Sequence, residues 1–290
     1  MGRLFINATG RRPSQIKFKQ EVQIEMKMHG RLGVILAIIL GLSGCDKLGL
    51  SEREVGEIPF TLTGIENGAC PLMVKVGPTK WQLDYFGFYL TKPEVRIDGK
   101  WQRVSFKQTQ WQTQSTALLK FHTLCSAPQN ANNKIVLDVS EGLLKLATNL
   151  RFTMGLPFDV NHTDPLAQAS PLSDTSMFLN KQSGHRFLRL DLSHAGSNDK
   201  QWQYHLGSAN CVSESVDAAP EASCAYTNRV EFILPMTQLD SELTLEISVS
   251  NILAQVDLLE ADSCEFGNPE TQPCKQLLRN LLNRPWIKWD

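Results

Sequence analysis

Five histidines follow the apolar run at residues 32–42: His122, His162, His185, His194 and His205. Six cysteines, Cys70, Cys125, Cys211, Cys224, Cys264 and Cys274, are spread through the same part of the chain. Imidazole is the commonest protein ligand for a metal ion, and thiolate sulfur is the soft donor beside it. No C-x-x-C pair exists, so the cysteine spacing does not encode a zinc or iron–sulfur site. An even number of cysteines reads instead as disulfides of an exported protein. Six cysteines allow fifteen pairings. Proximity along the chain favours Cys211–Cys224 and Cys264–Cys274, which leaves Cys70–Cys125. A lone histidine is more often a core or surface residue than a ligand. Met154 and Met177 read as core filling rather than as copper ligands.

Other chemistries find little support. No G-x-S-x-G is present, and Ser208 three residues after His205 does not by that spacing make a nucleophile–base pair. No G-x-G-x-x-G or P-loop occurs. The chain carries 29 Lys+Arg and 30 Asp+Glu. From residue 45 onward the balance is 22 against 28, an acidic and evenly mixed surface. That argues against nucleic acid as a partner.

The first 44 residues read as an upstream extension and an export leader. Lys27, His29 and Arg31 precede the apolar run Leu32–Leu42, which is too short to span a membrane but suits a signal-peptide core. The run ends in Leu42-Ser43-Gly44-Cys45, which resembles a bacterial lipobox with Cys45 as the lipidated residue. Residues 45–56 then form a tether, and 57–290 the folded domain. Asp46 after the lipidated cysteine indicates retention at the inner membrane, on its periplasmic side.

The elements that must position the candidate residues are strands. "IPFTLTGI", "WQLDYFGFYLTKPEVRIDGKWQRVSF", "KIVLDV", "LATNLRFTMG", "FLRLDLS", "RVEFILP" and "ELTLEISVS" alternate apolar and polar residues, as half-buried antiparallel strands do. Asp98-Gly99 is a strong hairpin signal. Helix signals are few: Asn251 as a cap for "ILAQVDLLEA", and a face of Leu277, Leu278, Leu281 and Leu282 near the C-terminus. The pattern predicts an all-β fold, an antiparallel β-sandwich with short helices near the C-terminus. Between two strands runs Gly155–Phe187, long, polar and without periodicity. Such a segment inside a compact domain is usually functional or disordered.

Within that segment, "FTMGLPFDVNHTDPLAQASPLSDTSMF" resembles the FTLGVP…NH…SPLN…MF block of the MbnP-like family, the metallo-mystery-pair four-cysteine proteins. "DYFGFYL", "STALLKFHTLC", "GHRFLRLDL", "YHLGSANC" and "NRVEF" resemble further family segments in the same order, from about Phe60 to Cys274. The resemblance implies a disulfide-bonded exported protein that binds copper and is not an enzyme. It implies as partner a MauG-like dihaem cytochrome c peroxidase, which oxidises a tryptophan to kynurenine. Opening the indole ring leaves an aniline nitrogen and a ketone, donors that copper accepts and indole does not offer.

Carried over by position, His162 and His205 match the family's histidine motifs and are the expected copper ligands. His122, His185 and His194 fall outside those motifs. The resemblance breaks after Phe178. The family has Trp-x-Trp-Gln there, and this chain has Leu179-Asn180-Lys181-Gln182. Trp81 and Trp202 are then the candidates for oxidation. The other reading of the resemblance is an interaction lipoprotein that docks the haem partner and has lost its metal site.

Overall fold

The computed structural model describes residues 53–66, 70–196, 200–236 and 244–290. The extension, the leader with Cys45, and all of the tether before Arg53 lie outside the described residues.

The predicted alternation builds two main sheets. The larger is organised on one 19-residue strand, Thr79–Ile97. Leu188–His194 pairs with its first half, and Thr116–Lys120 and Asn149–Met154 with its second. Gln201–Leu206 and Val230–Pro235 extend the sheet on either side. The long strand turns back on Lys100–Arg103 through Asp98 and Gly99, both at positive φ (49° and 78°), as a two-residue Asp-Gly hairpin requires. The second sheet runs in the order Ile287–Trp289, Leu245–Ser248, Glu57–Thr63, Lys134–Asp138, Ser105–Phe106. Pairing is antiparallel, except that Glu57–Thr63 runs parallel to Leu245–Ser248 and Gln201–Leu206 parallel to Cys264–Glu265.

The main core lies between the two sheets. Phe86, Phe88 and Leu90 of the long strand meet Phe60, Ile135, Leu245 and Ile247 of the second sheet. Phe106 stacks on Phe152, and Trp286 meets Phe88 edge-on. Met154 fills this core.

The long strand departs from the expectation of one wet face. From Tyr85 to Thr91 every residue is buried. Tyr85 and Tyr89 point away from the main core into a second apolar cluster with Leu118, Leu156, Leu172, Met177 and Phe187. Four of those partners, Leu156, Leu172, Met177 and Phe187, belong to the segment 155–187. That segment is an ordered cover over the second face of the large sheet. Tyr89 Oη donates to the Pro171 carbonyl at 3.2 Å, and Tyr85 Oη lies 2.8 Å from Ser176 Oγ.

The helices differ in detail from expectation. The C-terminal helix, Cys274–Asn283, buries Leu277 and Leu281 and leaves Leu282 exposed. The helix near Asn251 is Val249–Ile252, and its cap is Ser248, whose hydroxyl accepts from Asn251 N–H. The Asn251 amide donates instead to the Pro285 carbonyl. A helix that alternation did not predict, Glu141–Leu146, starts at Ser140, whose hydroxyl accepts from Leu143 N–H. Three disulfides join Cys70–Cys125, Cys211–Cys224 and Cys264–Cys274. Among the described residues, no helix is long and apolar enough to cross a membrane.

Candidate metal centre

Asn161 and His162 stand at the end of the short helix Phe158–Asn161, where the covering segment leaves the sheet. Both are buried. His162 Nδ1 lies 3.0 Å from the Lys181 carbonyl oxygen. A carbonyl only accepts, so Nδ1 carries the ring proton and donates it. Nε2 is then the lone-pair nitrogen, and Asn161 Nδ2 donates to it at 3.1 Å. The direction of that amide is set at its other end, where Asn161 Oδ1 accepts from His185 N–H at 2.9 Å. Histidines that ligate metals characteristically donate their other ring N–H to a carbonyl or carboxylate, and His162 is held in this way. Burial lowers its pKa, against the opposing effect of the Lys181 hydrogen bond, and so favours the neutral imidazole that a metal requires.

The same nitrogen also lies close to sulfur. His162 Nε2 is 3.6 Å from Cys224 Sγ. One imidazole nitrogen and the sulfurs of Cys211 and Cys224 all lie within 4.8 Å of one another. Here the two sulfurs are bonded as a disulfide. A disulfide sulfur is a feeble donor; the same pair reduced would offer two thiolates.

His185 braces this arrangement. Its ring is fully buried, with Nδ1 2.7 Å from the Asn161 carbonyl oxygen and Nε2 3.1 Å from that of Leu172. Burial lowers its pKa. Gly184, at φ +79°, lets Asn161 pass: a Cβ there would lie 2.5 Å from Asn161 Nδ2 and 2.7 Å from its carbonyl oxygen.

His205 sits in a different environment. Its Nε2 lies 2.6 Å from Asp191 Oδ1, and its Nδ1 lies 3.4 Å from Glu265 Oε2 and 3.3 Å from Arg186 Nε. Arg189 grips the same Asp191 carboxylate through Nε and Nη2, at 2.9 and 2.6 Å. Burial raises the Asp191 pKa, but the His205 and Arg189 hydrogen bonds and the Arg189 charge outweigh it and leave the pKa low. Both nitrogens of His205 are thus engaged by neighbouring side chains, and His205 is not among the side chains that converge on the Cys211–Cys224 pair.

The two tryptophans lie in the main core. Trp202 and Tyr204 alternate inward along their strand, so His205 points to the opposite face. Trp202 Nε1 donates to the Asp262 carbonyl at 3.1 Å. Trp81 is also buried, lines a cavity of about 410 Å³ with Leu253 to Leu259, and meets His194 edge-on at 5.2 Å. Trp81 pairs with His194 at one end of the strand Leu188–His194, and the other end adjoins His185. At about 3.3 Å per residue those ends are roughly 20 Å apart. His122 stacks on Tyr85 at 3.9 Å, and burial, with the Lys120 charge, pushes its pKa down to about 4.

Sequence reasoning marked His162 but missed its neighbours. Cys224 is 62 residues away in the chain, and no local pattern brings it to the imidazole. His185 and Gly184 were missed because their role is to brace Asn161, a contact that only the folded loop creates.

Fold and site together define a disulfide-bonded, mostly β protein with a candidate His/Cys metal-binding cluster. The family model described as MbnP matches residues 53–268, and the chain belongs to that family. Membership makes it a binding protein rather than an enzyme. The solved structure of MbnP from Methylosinus trichosporium is similar to it, with a TM-score of 0.61 and 21% identity, covering 77% of this chain and 86% of that one. At that identity the likeness speaks for the fold. No curated protein matches the chain.

Proposed function

We propose that this protein is an exported, lipid-anchored copper-binding protein, held at the periplasmic side of the inner membrane through Cys45, with His162 Nε2 as its primary ligand. The observation that carries the reading is the fixed tautomer of His162: its Nδ1 proton is committed to the Lys181 carbonyl, and the unprotonated Nε2, bonded by the Asn161 amide, lies 3.6 Å from Cys224 Sγ, where a metal would take the place of the amide proton. Imidazole and sulfur are donors that suit copper. His205 supports the fold through Asp191 rather than ligating the metal.

Oxidation of a tryptophan by a dihaem cytochrome c peroxidase partner is a separable step of the proposal. Trp81 is the candidate, because it lines an open cavity whereas Trp202 has its indole N–H bonded inside. A kynurenine at 81 would stand beside His194 and serve a second nitrogen pair, apart from His162.

Leu179 and Lys181, where the resembled family has tryptophans, favour the second reading: an interaction lipoprotein without a metal. The test is copper content after loading and dialysis, with intact mass after co-expression with the haem partner. About one copper retained by the wild type and lost in His162→Ala supports the proposal. No copper retained in either protein, with tryptophan masses unchanged, selects the second reading.

A further inference from the structure

We infer that the Cys211–Cys224 disulfide is a redox gate on the metal centre: a dithiol reductant opens it, and the reduced chain holds one Cu(I) between His162 Nε2 and two thiolates. This rests on the reading of His162 as a metal ligand.

The geometry supports the gated site. With metal–nitrogen bonds of about 2.0–2.1 Å and metal–sulfur bonds of about 2.3 Å, the nitrogen–sulfur edge of a tetrahedral site is roughly 3.5 Å. The observed separation of His162 Nε2 from Cys224 Sγ is 3.6 Å, so that edge of the coordination shell is already in place. The sulfur–sulfur edge must open to about 3.8 Å for the same bond lengths, and Cys211 Sγ, which lies within 4.8 Å of the imidazole nitrogen, must settle on the second nitrogen–sulfur edge. Cys224 is buried beside the imidazole, while Cys211 is half-buried. Cys211 is therefore the sulfur that a reductant reaches and the side chain that can swing. Residues 212–223 between them include the exposed Val212 and Val216. Among the described residues, this is where three His, Cys, Asp or Glu side chains bring their donor atoms together this closely.

The chemistry balances. One thiolate of the reductant attacks Cys211 Sγ, the S–S bond breaks, and its electron pair leaves on Cys224 Sγ. The reductant's second thiol displaces Cys211, so the reductant ends as its own disulfide. Two electrons and two protons pass to Cys211 and Cys224. Cu(I) binding then releases both thiol protons, and the copper changes no oxidation state. The neutral imidazole and two thiolates form a soft donor set, which selects a soft ion. In the oxidised chain, His162 Nε2 is left as the one strong donor of the group.

The test competes the full chain against a chromophoric Cu(I) chelator under argon, with Cu(I) alone as the probe. A phosphine is titrated in until alkylation mass spectrometry finds Cys211 and Cys224 free and Cys70–Cys125 intact. Circular dichroism checks that the fold persists. Reduced wild type should bind about 100-fold more tightly than oxidised wild type, with a sulfur-to-copper charge-transfer band in the ultraviolet. Cys211→Ser/Cys224→Ser should match oxidised wild type and ignore the phosphine. Should that variant misfold, the alkylated wild type replaces it as the thiolate-free control. Equal affinity of the oxidised and reduced wild types would overturn the gate while leaving His162 as a copper ligand. No binding in either state would remove both readings. A phosphine effect that persists in the thiolate-free control also overturns the gate.

Discussion

Replacing Gly184 by alanine should strike the candidate metal centre without touching a candidate ligand. Gly184 sits at φ +79°, and its missing Cβ leaves room for Asn161. Alanine in the left-handed region costs about 1–2 kcal/mol. The new methyl would also lie 2.7 Å from the Asn161 backbone oxygen, which cannot rotate away, and 2.5 Å from its Nδ2. Displacing Asn161 strands the buried His185 N–H and removes the donor to His162 Nε2. A buried polar group left unsatisfied costs about 1–3 kcal/mol. The total expected is about 2–5 kcal/mol, or a fall in Tm of roughly 4–20 °C for a domain of this size. Gly77→Ala is the control: Gly77 also has positive φ, 59°, but its Cβ would meet nothing within 4 Å. It should cost only the left-handed term, about 1–2 kcal/mol. Urea denaturation of both variants separates the two contributions. If the two variants lose the same stability to within about 0.5 kcal/mol, the claim that Asn161 is wedged by Gly184 is wrong.

Other tests follow from the buried charges and staples. Asp191→Asn should cost about 2–3 kcal/mol at neutral pH, because it leaves Arg189 and His205 without their carboxylate. The Asp191 pKa is depressed in the fold, so its contribution is present above the ordinary carboxyl range and fades as pH falls; the variant's urea midpoint should decline less on acidification. His122 has the opposite chemistry and the same slope. Its pKa is pushed down to about 4 from 6.5, so the unfolded chain takes the proton first and stability falls as pH drops between those values. His122→Phe keeps a ring on Tyr85 and should flatten that part of the stability–pH curve; an unchanged slope would refute the assignment. The Cys70–Cys125 bridge spans 55 residues and Cys264–Cys274 spans 10. Chain-entropy scaling puts their removal at about 4 and about 3 kcal/mol, so the double-alanine variant of the longer bridge should lose more in denaturant midpoint.

Much of the fold is legible in local pattern. Period-two alternation marks the strands because each has a face turned to the same core, and Asp98-Gly99 marks its hairpin because both residues tolerate positive φ. The helix at Glu141–Leu146 carried a readable signal in Ser140, but its six residues are too few for a periodic face to stand out. The residues around Asn251 misled because serine and asparagine are both good caps, and the Pro285 carbonyl claimed the asparagine amide.

The sequence by itself determined the all-β class, the even set of six cysteines and the family resemblance, and it marked His162 as a candidate. These depend on neighbours in the chain or on motifs read in order. Tertiary structure decided the rest. The polar segment 155–187 is a cover whose few apolar side chains, Leu156, Leu172, Met177 and Phe187, meet Tyr85 and Tyr89 across the sheet. His162 and His205, alike in sequence as motif histidines, part company because one ring stands beside the Cys211–Cys224 sulfurs while the other is held between the Asp191 carboxylate and the Arg186 guanidinium. A ligand site depends on where lone pairs point in space, and contacts between residues tens of positions apart in the chain set that direction.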